Sequence, residues 1–155
     1  MTFDNRPSSY PALSCVDGIA ASTTDAVLLI SRIMLGFIFV KSGYGKLFDI
    51  GAVAAGFPPR GIPAFMAYIS VPVEFFGGLA LILGVATRYV VIVMVGFLLV
   101  ATFSSHRYWE FADAVQRRNQ DTSFWKNISM LGGFGFLFVT GAGRWSIDTL
   151  LRKRG

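Results

Sequence analysis

Cysteine and histidine are nearly missing from this 155-residue chain, which has one of each, Cys15 and His106. A lone cysteine cannot close an internal disulfide, form a CxxC redox pair or build a thiolate metal cage. A lone histidine excludes bis-histidine haem ligation by one chain. A His–Met pair stays formally open, although methionines in apolar helices are far more often packing residues. Charge is scarce too: Asp, Glu, Lys and Arg make up 15% of the residues against 54% hydrophobic, with a mean hydropathy of +0.57. That balance excludes an ordinary soluble domain. The formal net charge of +5 comes without a basic stripe interleaved with aromatics. It suits anionic lipid headgroups, and no nucleic-acid partner is expected. The opening MTFDNRPSSYPALSCVDGIAASTTD lacks a basic segment followed by an apolar one, so it does not read as a signal peptide.

What the chain does have is apolar length. Four stretches, about 26–48, 62–84, 88–108 and 124–142, each approach the ~20 residues that cross a hydrocarbon core of roughly 30 Å. The expected fold is all-α: an integral membrane four-helix bundle with a short amphipathic segment between helices 3 and 4. In that segment Tyr108, Phe111, Ala112 and Val115 fall at helical spacing opposite Arg107, Glu110, Asp113 and Arg117, with Trp109 and Trp125 as interface anchors. Residues 1–25 read as a polar, disordered tail ending in a Ser22-Thr23-Thr24-Asp25 N-cap, residues 26–148 as the membrane domain and 149–155 as a basic tail. The short connection around GVATRY forces helices 2 and 3 into an antiparallel hairpin. The glycines and prolines of DIGAVAAGFPPRGIP break the chain after helix 1, and AVAAGF there reads as a short interfacial or re-entrant turn.

The informative residue is Glu74, in VPVEFFGGLALILG. A carboxylate near the middle of a membrane helix costs on the order of 2.5–3.5 kcal/mol of insertion free energy, while each surrounding Ile, Val, Leu or Phe returns roughly 0.3–0.6. The segment still inserts, but the carboxylate needs a partner or a proton. Small neighbours on its helical face, Gly77 and Gly78, point it into the bundle. Helix 1 offers Arg32, Gly36, Phe39, Gly43 and Lys46 along one line, with Lys41 pointing away. Arg32 is the expected partner of Glu74. Lys126 and Asn127 on helix 4 and His106 at the end of helix 3 complete a polar track with a basic mouth. Gly36, Gly43, Gly77, Gly78, Gly132 and Gly133 are the expected helix-contact glycines. The bland alternative stands beside this: a structural Arg–Glu pair, with lysines snorkelling and His106 anchoring at the interface.

Three ordered motifs carry a family resemblance. Arg32-x3-Gly36-x2-Phe39-x3-Gly43-x2-Lys46-Leu47 resembles the first-helix signature of the DoxX family of small bacterial membrane proteins. Pro72-x-Glu74-x2-Gly77-Gly78-Leu79-x-Leu81-x-Leu83-Gly84-x2-Thr87-Arg88 is similar to its second. Lys126-Asn127-x2-Met130-x-Gly132-Gly133, with Gly141-x-Gly143 and Asp148, is similar to its last. The resemblance implies a four-helix protein of the bacterial inner membrane, with Arg32, Glu74 and Lys126 at characteristic positions. It also implies a link to membrane oxidoreduction, because the family is named after a subunit associated with quinone-dependent sulfur oxidation. Relatives in the wider clan include a eukaryotic cargo receptor, which is no enzyme.

Three functions follow. The first is a non-autonomous subunit of a membrane redox system, in which the polar track holds a quinone headgroup or a small oxyanion. No flavin or nicotinamide motif is present, so electrons come from a peripheral or membrane redox partner or the quinone itself. The second is a membrane scaffold or partner-binding protein. The third is a small proton-coupled transporter, whose four spans would need a homo-oligomer. Basic residues tie at six per side. Discounting Lys46 and Lys126 as bundle-facing places both termini in the cytoplasm.

Overall fold

The computed structural model describes residues 11–153, and among them it contains helices and connecting turns but no strand. The helices are α1 (Pro11–Leu47), α2 (Ile50–Ala55), α3 (Ala67–Leu83), α4 (Thr87–Ser105), α5 (Ala114–Thr140) and α6 (Ile147–Arg152), joined in part by single 3₁₀ turns at Pro58–Arg60, Ala64–Met66 and Tyr108–Glu110. The segments Cys15–Leu47, Ala64–Leu83 and Thr87–Glu110 are long and apolar enough to cross a membrane. The 27-residue α5 has the length, but its first half is polar down to Lys126 and Asn127. Its apolar second half packs beside α4, completing an all-α membrane bundle.

The distribution of side chains is that of a bilayer protein. Met34, Phe37, Tyr89 and Phe136 are among the most exposed large residues, whereas Arg32, Glu74, Thr87, Thr102 and Asn127 are buried. Apolar groups outside and polar groups inside is the arrangement that lipid selects. Between the helices lies a small core of Phe39, Leu81, Met94, Leu98 and Phe134. Phe39 stacks on Phe134 with ring centroids 5.8 Å apart, tying α1 to α5.

The tightest packing is between antiparallel α1 and α3, and glycine makes it. A Cβ on Gly36 would stand 2.5 Å from the carbonyl oxygen of Gly78, and one on Gly78 would stand 2.8 Å from the carbonyl oxygen of Gly36. A Cβ on Gly43 would meet the backbone nitrogen of Phe75 at 2.9 Å. The backbones therefore touch directly, in the manner of small-residue membrane interfaces. Gly77 faces α4 differently: the Met94 side chain, not backbone, fills the space a side chain there would need. Gly133 makes only an ordinary contact with Leu35, and Gly132 faces open space. Gly132 is thus not a helix-contact glycine.

The α3–α4 hairpin is closed by Gly84 at φ 68° and Ala86 at φ 45°. The strained Ala86 is held by the Asp148 carboxylate, which accepts from the N–H groups of Ala86 at 2.6 Å and Thr87 at 2.9 Å. An acidic side chain from the far end of the chain thereby caps α4.

Three boundaries differ from the sequence expectation. Helix α1 begins at Pro11 rather than after Asp25, and residues 1–10 lie outside the described residues. Thr23 and Thr24 bond back to the carbonyls of Ile19 and Ala20 at 2.8 Å, so they sit inside the helix instead of capping it. Asp25 instead accepts from the Arg144 N–H at 2.9 Å. The amphipathic segment shrinks to the Tyr108–Glu110 turn, because Asp113 caps α5 through the Gln116 N–H and draws Val115 into that helix. The proposed 149–155 tail is also partly structured, since α6 occupies Ile147–Arg152.

Candidate functional site

Lys46 lies in the last turn of α1, where a cation is favoured by the helix dipole. Its ammonium donates to both carboxylate oxygens of Glu74, at 2.7 and 3.0 Å. The Glu74 side chain is 7% exposed and that of Lys46 40%. The bridge joins residues 28 apart in sequence and depends on the Gly36–Gly78 and Gly43–Phe75 contacts, which bring the two helices together. Pro72 stands two residues before Glu74 in the interior of α3. Having no N–H, it leaves the carbonyl one turn earlier without its usual partner.

This pair lines an open cavity of about 300 Å³ bordered by the end of α1, α2, the start of α3 and the end of α4. The walls are mainly apolar, with Val71, Phe97 and Ala101 among them, and the remaining polar groups are Arg60, Ser70, Ser104 and Ser105. Arg60 is exposed and donates through Nη1 to the Ser105 hydroxyl at 3.4 Å. Two cations, one carboxylate and apolar walls can hold a polar head on an apolar body, and the carboxylate can exchange a proton at the ligand.

Only Lys46 and Glu74 of the expected site come together here. Arg32 is not the partner of Glu74. In the antiparallel register Arg32 lies level with Gly84, whose absent side chain leaves room for the guanidinium. Fourteen residues separate Arg32 from Lys46 on α1, roughly 21 Å along the axis. Arg32 is fully buried and donates through Nη2 to the Trp145 carbonyl at 2.6 Å, while Nε and Nη1 have no protein partner. Asn127 is buried too, but it donates to the Thr102 hydroxyl at 3.0 Å and so joins α5 to α4. His106 Nδ1 lies 2.7 Å from Gln120 Oε1, and His106 does not line the cavity. Lys126 is exposed on the outside of α5. The polar groups form separate clusters rather than one track, with the aromatic and aliphatic core between them.

Sequence reasoning missed Arg60, Ser104 and Ser105 of the cavity. The signal for Arg60 was its place in PPRG, a rigid turn closed by Gly61 at φ 76°. The roof over Arg32, formed by the Trp145 carbonyl and Ser146 beside Gly84, had no signal of its own. Asp148, outside the spans, shows how strongly that end is organised. Burial works to raise its pKa, but the Thr87 and Ala86 hydrogen bonds and nearby Arg152 outweigh it and hold the carboxyl below its ordinary value.

A bundle with an apolar outer shell, several spanning helices and an ion pair whose carboxylate is buried between helices defines a multi-pass α-helical membrane protein. The chain belongs to the DoxX family, whose profile matches residues 27–107. It is 35% identical over 130 residues to "Inner membrane protein YqjF" of Escherichia coli, covering 84% of this chain and 95% of that protein. It is 31% identical over 124 residues to "Inner membrane protein YphA" of the same organism, covering 79% and 88%. A shorter similarity, 36% over 62 residues, covers 40% of this chain and 46% of "Putative oxidoreductase CatD" of Bacillus subtilis. No solved structure matches the chain.

Proposed function

We propose that this chain is a non-autonomous subunit of a membrane redox system that holds a quinone headgroup or a small oxyanion between Lys46, Glu74 and Arg60. The observation that carries the reading is the half-buried Lys46–Glu74 pair lining an otherwise largely apolar cavity. Lys46 and Arg60 donate hydrogen bonds to a carbonyl or anionic oxygen, and Glu74 carries the proton that follows negative charge onto it. Reduction of a quinone takes two electrons and two protons; a partner protein bearing a flavin or haem supplies the electrons, and Glu74 relays protons. The names of YqjF and YphA support placement in the bacterial inner membrane, and that of CatD supports the redox link. Both termini are assigned to the cytoplasm.

The test is mass spectrometry of the protein purified in mild detergent, reading bound small molecules and co-purifying proteins. About one quinone or oxyanion per chain, lost when Lys46→Met is combined with Arg60→Gln, is the expected result. A protein partner free of redox cofactor, with the cavity empty, would overturn it. That outcome would favour a scaffold, a second reading supported by one observation: Lys46 already engages both Glu74 oxygens, as a fixed structural pair would.

A further inference from the structure

At the opposite end of the bundle from the Lys46–Glu74 pair, the start of α4, the end of α5 and the chain from Gly141 to Arg152 border a second, larger and open cavity of about 780 Å³. Its polar lining is unusual for so apolar a chain. Arg88, Arg144 and Arg152 all contribute, against Asp25 and Asp148. Both carboxylates are already engaged by backbone N–H groups, Asp25 by Arg144 and Asp148 by Ala86 and Thr87, and the exposed Arg144 guanidinium also lies 3.8 Å from Asp25 through Nε. Three guanidinium groups against two engaged carboxylates leave the lining net positive.

Arg88 is also held in place. Its Nε donates to the Phe138 carbonyl at 3.1 Å and its Nη2 to the Val139 carbonyl at 3.3 Å, which anchors the guanidinium against the last turn of α5. One turn further into α4, Ile92 lines the same cavity, and Phe138 faces it from α5. Both are exposed apolar side chains. The lining therefore grades from cationic at the helix ends to apolar toward the middle of the bundle. Tyr89 and Trp145, 77% and 59% exposed, lie at the same end, as aromatic residues do at the headgroup level.

We propose that this cavity is a binding site for an anionic phospholipid, with the phosphodiester between Arg88, Arg144 and Arg152 and an acyl chain along Ile92 and Phe138. Guanidinium groups match phosphate oxygens in paired hydrogen bonds, so Arg suits this role better than a point charge would. The apolar continuation distinguishes a lipid from a free anion, which would gain nothing from Ile92 or Phe138. The site is separate from the Lys46–Glu74 cavity and does not depend on the redox reading.

The test uses the full-length protein in neutral detergent, titrated with phosphatidylglycerol, phosphatidylcholine or inorganic phosphate and read by native mass spectrometry. The first phosphatidylglycerol is expected to bind at least about tenfold more tightly than phosphatidylcholine. Arg144→Gln combined with Arg152→Gln, at two exposed positions, should abolish that preference. Equal affinity for the two lipids, or an unchanged preference in the double variant, would overturn the proposal. So would displacement of the lipid by millimolar inorganic phosphate, which would make the cavity a soluble-anion site. Should the double variant fail to fold, hydrogen exchange on the unaltered protein decides. Phosphatidylglycerol should slow exchange across 141–152 and leave 46–62 unchanged, and no protection of 141–152 would refute the site.

Discussion

Removing Lys46 should cost more than removing the whole ion pair. At an effective dielectric of about 20, two unit charges at about 4 Å attract by roughly 4 kcal/mol, and most of this offsets the desolvation of the carboxylate. Lys46→Met leaves Glu74, 7% exposed, facing apolar walls without its ammonium. Breaking a buried pair in this one-sided way costs about 3–5 kcal/mol. Two features reduce that figure here: the Lys46 side chain is 40% exposed, and Arg60 lines the same cavity. A loss of about 2–3 kcal/mol is therefore expected for Lys46→Met. Glu74→Leu leaves an ammonium that can reach water, and the double variant leaves no unpaired charge. Both should be less destabilised than Lys46→Met. Equilibrium unfolding in mixed micelles, run as a double-mutant cycle, measures this directly. A coupling below about 0.5 kcal/mol, with Lys46→Met no worse than the double variant, would refute the reasoning.

The glycine contacts and the α4 cap make further predictions. Gly36→Leu should destabilise by at least about 2 kcal/mol through overpacking against the Gly78 carbonyl and Ile82, while Gly132→Ala, in open space, should be neutral or stabilise by up to about 1 kcal/mol. Thermal unfolding of the two variants in one detergent compares them. For Asp148 the folded pKa is depressed, so its stabilisation is present above the unfolded carboxylate pKa and is lost as pH falls through the lower folded value. Stability of the unaltered protein should thus decline across the acid range below the ordinary Asp pKa. Asp148→Asn should be less stable at neutral pH and show a flatter decline, and parallel pH profiles for the two proteins would rule the cap out as its source.

Glu74 was legible as an inward-facing carboxylate because a charge among glycines and aliphatic residues has few other places to go in a membrane. Its partner was not. Helical spacing put Arg32 and Lys46 on the same face of α1 and so could not choose between them. The choice rests on how far α3 slides along α1, which is set by backbone contact at Gly36, Gly43 and Gly78. Arg60 was hidden for a related reason: a loop residue has no periodicity, and only the folding back of α2 and the PPRG turn brings it to the cavity. Lys126 erred in the opposite sense, since a lysine beside a buried Asn127 can share its sequence neighbourhood and still turn outward by 100°.

By itself, then, the sequence determined the membrane class, three of the helical spans, the hairpin at Gly84 and the glycine faces of α1 and α3, because each of these follows from local hydropathy, backbone freedom or helical period. Only the tertiary structure decided that Glu74 meets Lys46, that Arg32 is roofed by the Trp145 carbonyl and that Asp148 caps α4. Those are long-range contacts whose partners depend on helix register and on where the last residues return, and no local signal encodes either.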